Sequence, residues 1–321
     1  MRGKIIRGIA GSYDVNVEGV GILECKAKGI FRKRGIKPLP GDDVELEQIG
    51  GVPGAGNIID ILERRTELIR PAVANADQAV IVFAAAEPQP NFNLLDRFLV
   101  LMRWQGMRTI VCFNKKDQIT QEQQERLREA YRDSGCQVLL VSARRDEGMD
   151  LLGQELKGRT TVLAGPSGVG KSSIVNRLFP EAEMETGSIS EKIKRGRHTT
   201  RHSELFYVGE ETYLFDTPGF SSLYLPEMEK EELKDCYPEF EPYRGKCRYL
   251  SCIHGREPEC AVRAAVEMGS ICKQRYENYL LLLEGVSSST QYRRQTGDMR
   301  GNKASLPQDR GKSRRYARSE K

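Results

Sequence analysis

The sequence has no apolar stretch long enough to cross a bilayer, and it has no secretory signal. Its longest apolar runs are AVIVFAAA (79–86) and YLLLL (279–283), and its first residues, MRGKIIRGIAGSYDVNVEG, lack an apolar core. With 39% hydrophobic and 30% charged residues, the composition is that of a globular protein in water. We therefore expect a cytoplasmic monomer with no membrane partner.

A disulfide framework is absent as well. Four of the eight cysteines lie far apart, at positions 25, 112, 136 and 236, which is unlike the dense spacing of disulfide-stabilised secreted domains. Three others crowd around a histidine in the sequence CRYLSCIHGREPEC (247–260), and the last lies just beyond, at position 272. The sequence therefore favours a local Cys/His cluster over paired cysteines.

The length of 321 residues predicts several domains, and no internal repeat is visible. Residues 1–65 carry short strand patterns between Gly- and Pro-containing turns, typical of a small β-barrel of the oligonucleotide-binding (OB) type. Residues 66–225 alternate continuous apolar runs with helical segments, which predicts one domain with a mainly parallel sheet covered by helices. The predicted fold class of the whole chain is therefore multidomain α/β. Residues 226–286 predict a small helical domain around the Cys/His cluster.

The last segment, residues 287–321, is basic and poor in apolar residues. It has ten Lys or Arg residues against three acids, a net charge of +7, so the rest of the chain carries −2 of the total of +5. Such a segment predicts disorder, and its charge suits a nucleic-acid phosphate backbone. A solubilising tail without a specific partner is the other interpretation.

A second basic segment is the barrel loop FRKRGIK (31–37). Four cations beside an aromatic residue are typical of contacts with RNA phosphates and bases. The candidate RNA-binding residues are Arg32, Lys33, Arg34 and Lys37. A solvated loop with no partner is an equally open interpretation.

A phosphate-binding loop follows the apolar run RTTVLA and fits the pattern G-x4-G-K-[ST]. Its glycines let backbone N–H groups approach phosphate oxygens closely, and the helix that follows adds partial positive charge. Lys171 would contact the β- and γ-phosphates, and the Ser172 hydroxyl would ligate Mg²⁺. The nucleotide-binding residues predicted here are Gly165, Pro166, Ser167, Gly168, Val169, Gly170, Lys171, Ser172 and Ser173.

The segment NKKD predicts that the nucleotide is GTP. Guanine offers two adjacent N–H donors that one carboxylate, Asp117, can accept, whereas adenine would leave that acid unsatisfied. Asn114 would tie this loop to the phosphate loop, and the stem of Lys115 would cover the base, with Lys116 beside it. Taken alone, NKKD is also compatible with an ordinary polar loop. The dipeptide Ser142-Ala143, after the next strand, adds a backbone contact to the guanine oxygen.

A third element, Asp216-Thr217-Pro218-Gly219, fits D-x-x-G, whose Asp holds Mg²⁺ through water and whose Gly N–H contacts the γ-phosphate. Between it and the phosphate loop lies a predicted switch that supplies Thr199 or Thr200 to Mg²⁺. The base-reading loop thus precedes the phosphate loop, the reverse of the usual GTPase order. Circular permutation is the economical explanation, because strand packing survives a cut when the original termini lie close together.

This layout resembles that of a bacterial family, the ribosome small-subunit-dependent GTPases of the RsgA (YjeQ/YloQ) type, over residues 1 to about 286. The residues that carry the resemblance are the N-terminal barrel pattern, the permuted motif order, GRHTT (196–200) and the Cys/His cluster. The resemblance implies a GTPase that binds the small ribosomal subunit and its rRNA late in maturation and leaves on hydrolysis. The basic tail is not part of the pattern.

The Cys/His cluster predicts one structural zinc ion. Cys247, Cys252, His254 and Cys260 supply three thiolates and one imidazole within a short segment, a donor set that suits tetrahedral Zn²⁺, and the spacing resembles the zinc pattern of the family. Bystander cysteines in a reducing compartment are the alternative. Zinc here would fix a small domain directly after the D-x-x-G element.

The glutamine that orients the attacking water in many GTPases is missing, because Phe220 stands at that position. Slow hydrolysis that depends on a partner is therefore expected. His198 resembles the substitute catalyst proposed for the family, and an RNA contact or a packing role is the alternative.

Two other functions fit parts of the sequence. One is an RNA-binding module that uses GTP to fix its shape, with negligible turnover, which Phe220 makes credible. The other is a P-loop kinase acting on a small substrate, which is disfavoured because Asn114 and Asp117 select a base rather than a phosphate acceptor.

Overall fold

The computed structural model of the chain describes residues 1–29, 31, 35–50, 52–68, 72–180, 204–216 and 225–296, the last ten by their backbone. The predicted RNA-binding residues Arg32, Lys33 and Arg34 lie outside these ranges. So do the predicted switch, the residues after Asp216 in D-x-x-G, and positions 297–321 of the basic tail.

A closed five-stranded barrel forms the N-terminal part. Its strands are β1 (Arg2–Ile9), β2 (Ser12–Val17), β3 (Gly21–Ala27), β4 (Asp43–Gln48) and β5 (Ala55–Ile61). They pair in the order β1-β2-β3-β5-β4, and β4 pairs with β1 to close the barrel. Alternate residues point inward, such as Leu23 and Cys25 of β3, so a period-two pattern fills the barrel core. The predicted OB-type barrel is confirmed.

A sheet of six strands follows, five of them parallel. Its strands are β8 (Gln78–Ala84), β9 (Arg108–Asn114), β10 (Gln137–Leu140), β11 (Thr160–Ala164), β12 (Glu204–Tyr207) and β13 (Tyr213–Asp216), after a short β6–β7 hairpin (Glu67–Leu68 and Val73–Ala74). Every residue of β8 and β11 is buried, which confirms that the continuous apolar runs form strands covered on both faces.

The strand order β10-β9-β8-β11-β13-β12 is compatible with the permutation. Strand β11 lies between β8 and β13, and pairs in parallel with both, although β9 and β10 intervene in the sequence. The two segments carrying the reversed motifs therefore fold into one sheet.

Helices cover the sheet and build the C-terminal part. They are α1 (Phe92–Trp104), α2 (Gln121–Tyr131), α3 (Met149–Leu156), α4 (Lys171–Leu178), α5 (Lys230–Asp235), α6 (Ala261–Glu267) and α7 (Lys273–Thr296), with 3₁₀ turns at Lys116–Gln118 and Pro238–Tyr243. Helix α7 crosses the predicted domain boundary at residue 286. Among the described helices, none is both long and apolar enough to cross a bilayer.

The barrel is joined to the sheet through the edge strand β12. Arg7 of β1 lies opposite Glu204 of β12 in an antiparallel pair, so barrel and sheet form one continuous eleven-stranded surface. The Asn16 amide donates to the Tyr213 hydroxyl at 3.1 Å across the same junction. Strand β12 begins directly after the predicted switch, so the barrel is attached to the strand closest to it in the chain.

The C-terminal helices are joined to the sheet domain by a buried ionic cluster. The Arg275 guanidinium of α7 donates to Asp96 of α1 and, at 2.8 Å, to Glu239, and all three side chains are at most 6% exposed. Its guanidinium also lies over the rings of Tyr131 and Tyr237, at 5.3 and 4.7 Å from their centroids. Although burial lowers it, the charges of Asp96 and Glu239 hold the pKa of Arg275 above its usual range.

Replacement of Arg275 with Met should destabilise the C-terminal helices strongly. Two buried carboxylates would lose their cation, and breaking a buried pair from one side costs about 3–5 kcal/mol. Denaturant unfolding followed by circular dichroism would measure the free energy of unfolding. Arg256→Met is the matched control, because Arg256 is 95% exposed and lies 3.7 Å from Glu284, where an ion pair contributes no more than about 1 kcal/mol. Equal effects of the two substitutions would contradict this role.

Candidate functional site

Four predicted motifs meet at one edge of the parallel sheet. The base-reading loop follows β9, Ser142-Ala143 follows β10, the phosphate loop follows β11, and Asp216 ends β13. These strands run in the same direction, so their carboxyl ends share an edge, which is where open α/β sheets bind ligands. The sequence motifs are therefore neighbours in space.

The phosphate loop depends on glycines at two close approaches. Gly165 has a φ of 144°, and a Cβ there would lie 2.1 Å from the Val82 carbonyl oxygen of β8. Gly170, with a φ of 96°, precedes α4, and a Cβ there would lie 2.3 Å from Nδ2 of Asn114. No other residue type fits either position without moving the backbone, so the glycines set how closely this loop packs on its neighbours.

Asn114 joins the base-reading loop to the phosphate loop, as predicted. Its Nδ2 donates to the Val169 carbonyl at 2.9 Å, and its Oδ1 accepts from the Ala143 backbone N–H at 3.2 Å. The side chain is 2% exposed, so both contacts are shielded from water. One amide therefore fixes three loops relative to one another.

Lys115 makes a second connection. Its backbone is left-handed, with a φ of 63°, and its Nζ donates to the Gly168 carbonyl at 2.8 Å and to the Glu87 carbonyl. The stem of the side chain is thereby stretched between the base-reading loop and the phosphate loop. Its neighbour Lys116 forms an ion pair with Glu147 at 3.3 Å.

The Asp117 carboxylate is held ready to accept hydrogen bonds. The Ser142 hydroxyl donates to its Oδ1 at 2.6 Å, and Ser142 in turn accepts from the Arg145 backbone N–H at 3.1 Å. The bond from Ser142 lowers the pKa of Asp117, and the charges of Arg145 and Arg144 add to this effect. An ionised carboxylate keeps further lone pairs for paired N–H donors of a base.

The residues predicted to contact phosphate differ in exposure. Lys171 and Ser172 are half-buried at the start of α4, Pro166 is half-buried, and Ser167 and Ser173 are exposed. The Lys171 Nζ donates to the carbonyls of Gly165 and Pro166, both at 2.8 Å, so it lies against the loop. Asp216 pairs in register with Leu163, two residues before Gly165 on the neighbouring strand.

Four predicted residues of this site lie outside the described part of the chain: His198, Thr199, Thr200 and Gly219. The barrel residue Lys37, proposed to contact RNA, is exposed, and its carbonyl accepts from Arg64 at 2.7 Å.

The three thiols and the imidazole of the Cys/His cluster converge on one point. The ligand atoms of Cys247, Cys252, His254 and Cys260 all lie within 4.8 Å of one another. The Nδ1 atom of His254 is 3.5–3.6 Å from each sulfur, and the sulfurs of Cys247 and Cys260 are 3.9 Å apart. Bond lengths of about 2.3 Å to sulfur and 2.05 Å to nitrogen give tetrahedral edges of about 3.8 and 3.6 Å. The cluster can therefore hold a metal ion.

Without a metal, burial favours the neutral forms of Cys252 and His254. Burial raises the pKa of the Cys252 thiol to about 12, and the neighbouring thiols add to this. Burial likewise lowers the pKa of His254, assisted by the charge of Lys234. Thiolates packed this closely are stable only when a cation offsets their charge.

Hydrogen bonds to the backbone hold the cluster in place. The Tyr276 hydroxyl of α7 donates to the His254 carbonyl at 2.8 Å, and the Lys234 ammonium of α5 donates to the Cys252 carbonyl at 3.0 Å. His254 has a φ of 60°, and its ring meets Phe240 edge to face, with centroids 5.5 Å apart. Helices on both sides therefore fix the positions of the ligands.

Sequence reasoning missed the residues that support the site. Glu87 contributes only a carbonyl, Arg145 acts through its backbone, and Tyr276 is recognisable as a support only once α7 packs on the cluster. Backbone groups carry no residue-specific signal, so no sequence pattern could have revealed the first two.

Comparison with known proteins identifies the fold and the family. The RsgA GTPase family model matches residues 61–226, and the RsgA N-terminal domain model matches residues 2–54. A small ribosomal subunit biogenesis GTPase RsgA from Agathobacter rectalis is 51% identical over 302 residues, covering 91% of this chain and 100% of the relative. Its counterpart from Clostridium botulinum (strain Eklund 17B) is 48% identical and covers 89% of this chain and 97% of the relative.

Two solved structures are similar over nearly their whole length. YjeQ from Thermotoga maritima superposes with a TM-score of 0.73 at 32% identity, covering 89% of this chain and 98% of that one. YloQ, described as a circularly permuted GTPase, superposes with a TM-score of 0.71 at 36% identity, covering 90% of this chain and 95% of that one. On the family models, the sequence identities and the permuted strand order, this chain belongs to the RsgA GTPase family.

Proposed function

We propose that this protein is a GTPase that binds the small ribosomal subunit and its rRNA and assists late maturation of the subunit. It hydrolyses GTP to GDP and phosphate, slowly alone and faster on the subunit. The observation that carries the proposal is Asn114, which joins a guanine-reading loop to a phosphate loop through one buried amide. The names of the relatives, small ribosomal subunit biogenesis GTPases, support the same partner for this chain.

Nucleotide recognition divides between the two loops. Asp117 accepts the two N–H donors of guanine, Lys115 covers one face of the base, and the backbone of Ser142-Ala143 meets the guanine oxygen. The backbone N–H groups of residues 165–173 surround the phosphates, and Lys171 offsets their charge. Because Asn114 fixes the base-reading loop relative to the phosphate loop, a nucleotide whose phosphates are bound presents its base to Asp117.

A magnesium ion fits the oxygen donors at this edge. Ser172 lies at the start of α4, and Asp216 is the last residue of β13, the strand that pairs in parallel with β11. Hydroxyl and carboxylate oxygens are hard ligands of the kind that suits Mg²⁺. Thr199 or Thr200 would complete the set. When bound, the ion neutralises charge on the phosphate oxygens during hydrolysis.

Hydrolysis needs a group that orients the attacking water, and Phe220 cannot supply it. We assign that role to His198, whose neutral imidazole can accept a proton from water as it attacks the γ-phosphate. Because the intrinsic rate is expected to be slow, the subunit would act by fixing this residue against the phosphate.

We further propose that the metal of the Cys/His cluster is a single structural zinc ion, held by Cys247, Cys252, His254 and Cys260. The distances match a closed tetrahedral shell, which leaves no position for a substrate. Zinc would hold the segment between α5 and α6 in shape, and the protein would act in the cytoplasm as a monomer.

Replacement of Asp117 with Asn should change the base preference. The amide would place a donor where guanine presents donors, so the affinity for GTP should fall on the order of 100-fold. Xanthosine triphosphate has a carbonyl in place of the guanine amine and should bind this variant instead. Binding of fluorescent nucleotides would measure both affinities. Asp150→Asn, an exposed aspartate in the first turn of α3, is the control. Wild-type GTP affinity in the Asp117→Asn variant would show that this residue does not read the base.

Replacement of His198 with Ala should leave GTP affinity intact and reduce subunit-stimulated turnover about 100-fold, within the range of general-base catalysis. Phosphate release would be measured with the protein alone and with small and large subunits added separately. His202→Ala, four residues further on, is the matched control. Failure of small subunits to stimulate the wild-type protein would favour the alternative, a GTP-gated RNA-binding module.

Metal analysis of the native protein should find one zinc per chain. Cys252→Ser should lose the metal and lower the melting temperature, whereas Cys272→Ser, outside the cluster, should change neither. A wild-type protein that contains no zinc and melts at the same temperature with and without a chelator would overturn the zinc assignment.

A further inference from the structure

One end of the barrel carries an exposed apolar surface that the nucleotide and metal sites do not use. We name it the barrel-tip surface, and it consists of Val20, Ile22, Ile49 and Val52, which are 38–62% exposed. Two turns contribute these residues: the turn between β2 and β3, with the first residues of β3, and the turn between β4 and β5.

The two turns lie side by side. Strands β3 and β5 are parallel neighbours, with Glu24 opposite Ala55. The Glu24 backbone N–H donates to the Gly54 carbonyl at 2.8 Å, so the second turn rests against the start of β3. Within that turn the Val52 N–H donates to the Ile49 carbonyl at 3.2 Å, which makes it compact. Four branched apolar side chains are thereby gathered at one end of a closed barrel.

The charges around the barrel-tip surface are mainly acidic. Glu18 lies in the first turn, and Glu47 of β4 lies two residues before Ile49, and both are exposed. Glu24, two residues after Ile22, is also exposed, and its carboxylate accepts from the Ser12 hydroxyl at 2.8 Å. The two cationic groups described at this end of the barrel, Arg2 and the N-terminal amine, already have hydrogen-bond partners within the barrel. Arg2 pairs with Glu45 at 3.3 Å, and the N-terminal amine donates to the Leu46 carbonyl at 3.0 Å.

We propose that the barrel-tip surface docks a basic segment of a small-subunit protein, with apolar side chains at its centre. This inference rests on the proposed function, because it names a partner on the same particle. Exposed apolar residues with a charged rim are typical of protein interfaces. Acidic side chains repel a phosphate backbone and attract Lys and Arg, so charge complementarity favours a protein over rRNA here.

The barrel then has two different binding ends. The loop predicted to contact RNA, residues 31–37, follows β3, whereas the barrel-tip surface lies where β3 begins. A barrel placed between an rRNA segment and a protein segment would be oriented by both. The basic loop suits rRNA, and the apolar surface with its acidic rim suits a basic protein segment, so neither end can substitute for the other.

Photo-cross-linking would identify the occupant directly. A benzoylphenylalanine introduced at Val20 of the full-length protein, bound to purified small subunits with a non-hydrolysable GTP analogue, should attach to a basic subunit protein. The same group at Leu151 of α3, a leucine that is 53% exposed, is the control. Attachment to rRNA alone, or no attachment beyond that of the control, would overturn the proposal.

Two sets of substitutions test the chemistry. Ile22→Ser with Val52→Ser should weaken sedimentation with small subunits about tenfold, while GTP turnover of the free protein stays at the wild-type rate. Charge reversal by Glu18→Lys, Glu24→Lys and Glu47→Lys should also weaken binding, because like charges would then face the partner. Tighter binding after charge reversal would show that rRNA occupies the surface and would overturn the proposal.

The controls separate this inference from the proposed function. Leu151→Ser should bind as the wild type does, and thermal unfolding should show that all variants are folded. A wild-type protein that does not sediment with small subunits would overturn the proposed function itself. Wild-type binding that neither set of substitutions changes would overturn the barrel-tip assignment alone.

Discussion

The nucleotide site depends on one buried amide. Asn114 donates to the phosphate loop and accepts from the backbone of Ala143, so three loops from distant parts of the chain have fixed relative positions. Gly170 is required for this contact, because any Cβ there would collide with the Asn114 amide. These Asn114 contacts do not depend on the order of the motifs along the chain. Parallel strands deliver their carboxyl ends to one edge whichever segment is synthesised first.

The domains on either side of the sheet are attached in different ways. The barrel continues the sheet through the backbone pairing of β1 with β12, and the Asn16 amide adds a side-chain hydrogen bond to Tyr213 of β13. The C-terminal helices are attached through Arg275, Asp96 and Glu239, a buried ionic cluster on the side of α1 and α2. The Arg275 guanidinium reaches Asp96 of α1 and lies over the Tyr131 ring at the end of α2, so the C-terminal helices are held against these two helices.

The two predicted metal sites differ in what the protein must supply. The Cys/His cluster has its four donors at tetrahedral distances, supported by Tyr276 and Lys234 from helices on both sides, so the protein alone arranges that shell. At the proposed nucleotide site the chain would offer Ser172 at the start of α4 and Asp216 at the end of β13, and the phosphates of a bound nucleotide would contribute the other oxygens. The first site is suited to structure, and the second to chemistry that occurs only with the nucleotide bound.

The residue types expected to carry chemistry could be predicted from local sequence patterns. The phosphate loop, Asn114 with Asp117, and the Cys/His spacing are local patterns. Continuous apolar runs indicated the parallel sheet, and short strand patterns between Gly- and Pro-containing turns indicated the barrel. Tertiary structure decided what depends on distant partners: the Lys115 contact with the Glu87 carbonyl, the burial of Arg275 between two carboxylates, and the grouping of Val20 with Val52 at the barrel tip. These features arise from backbone groups and from residues far apart in the chain, and neither has a signature that can be read along a single sequence.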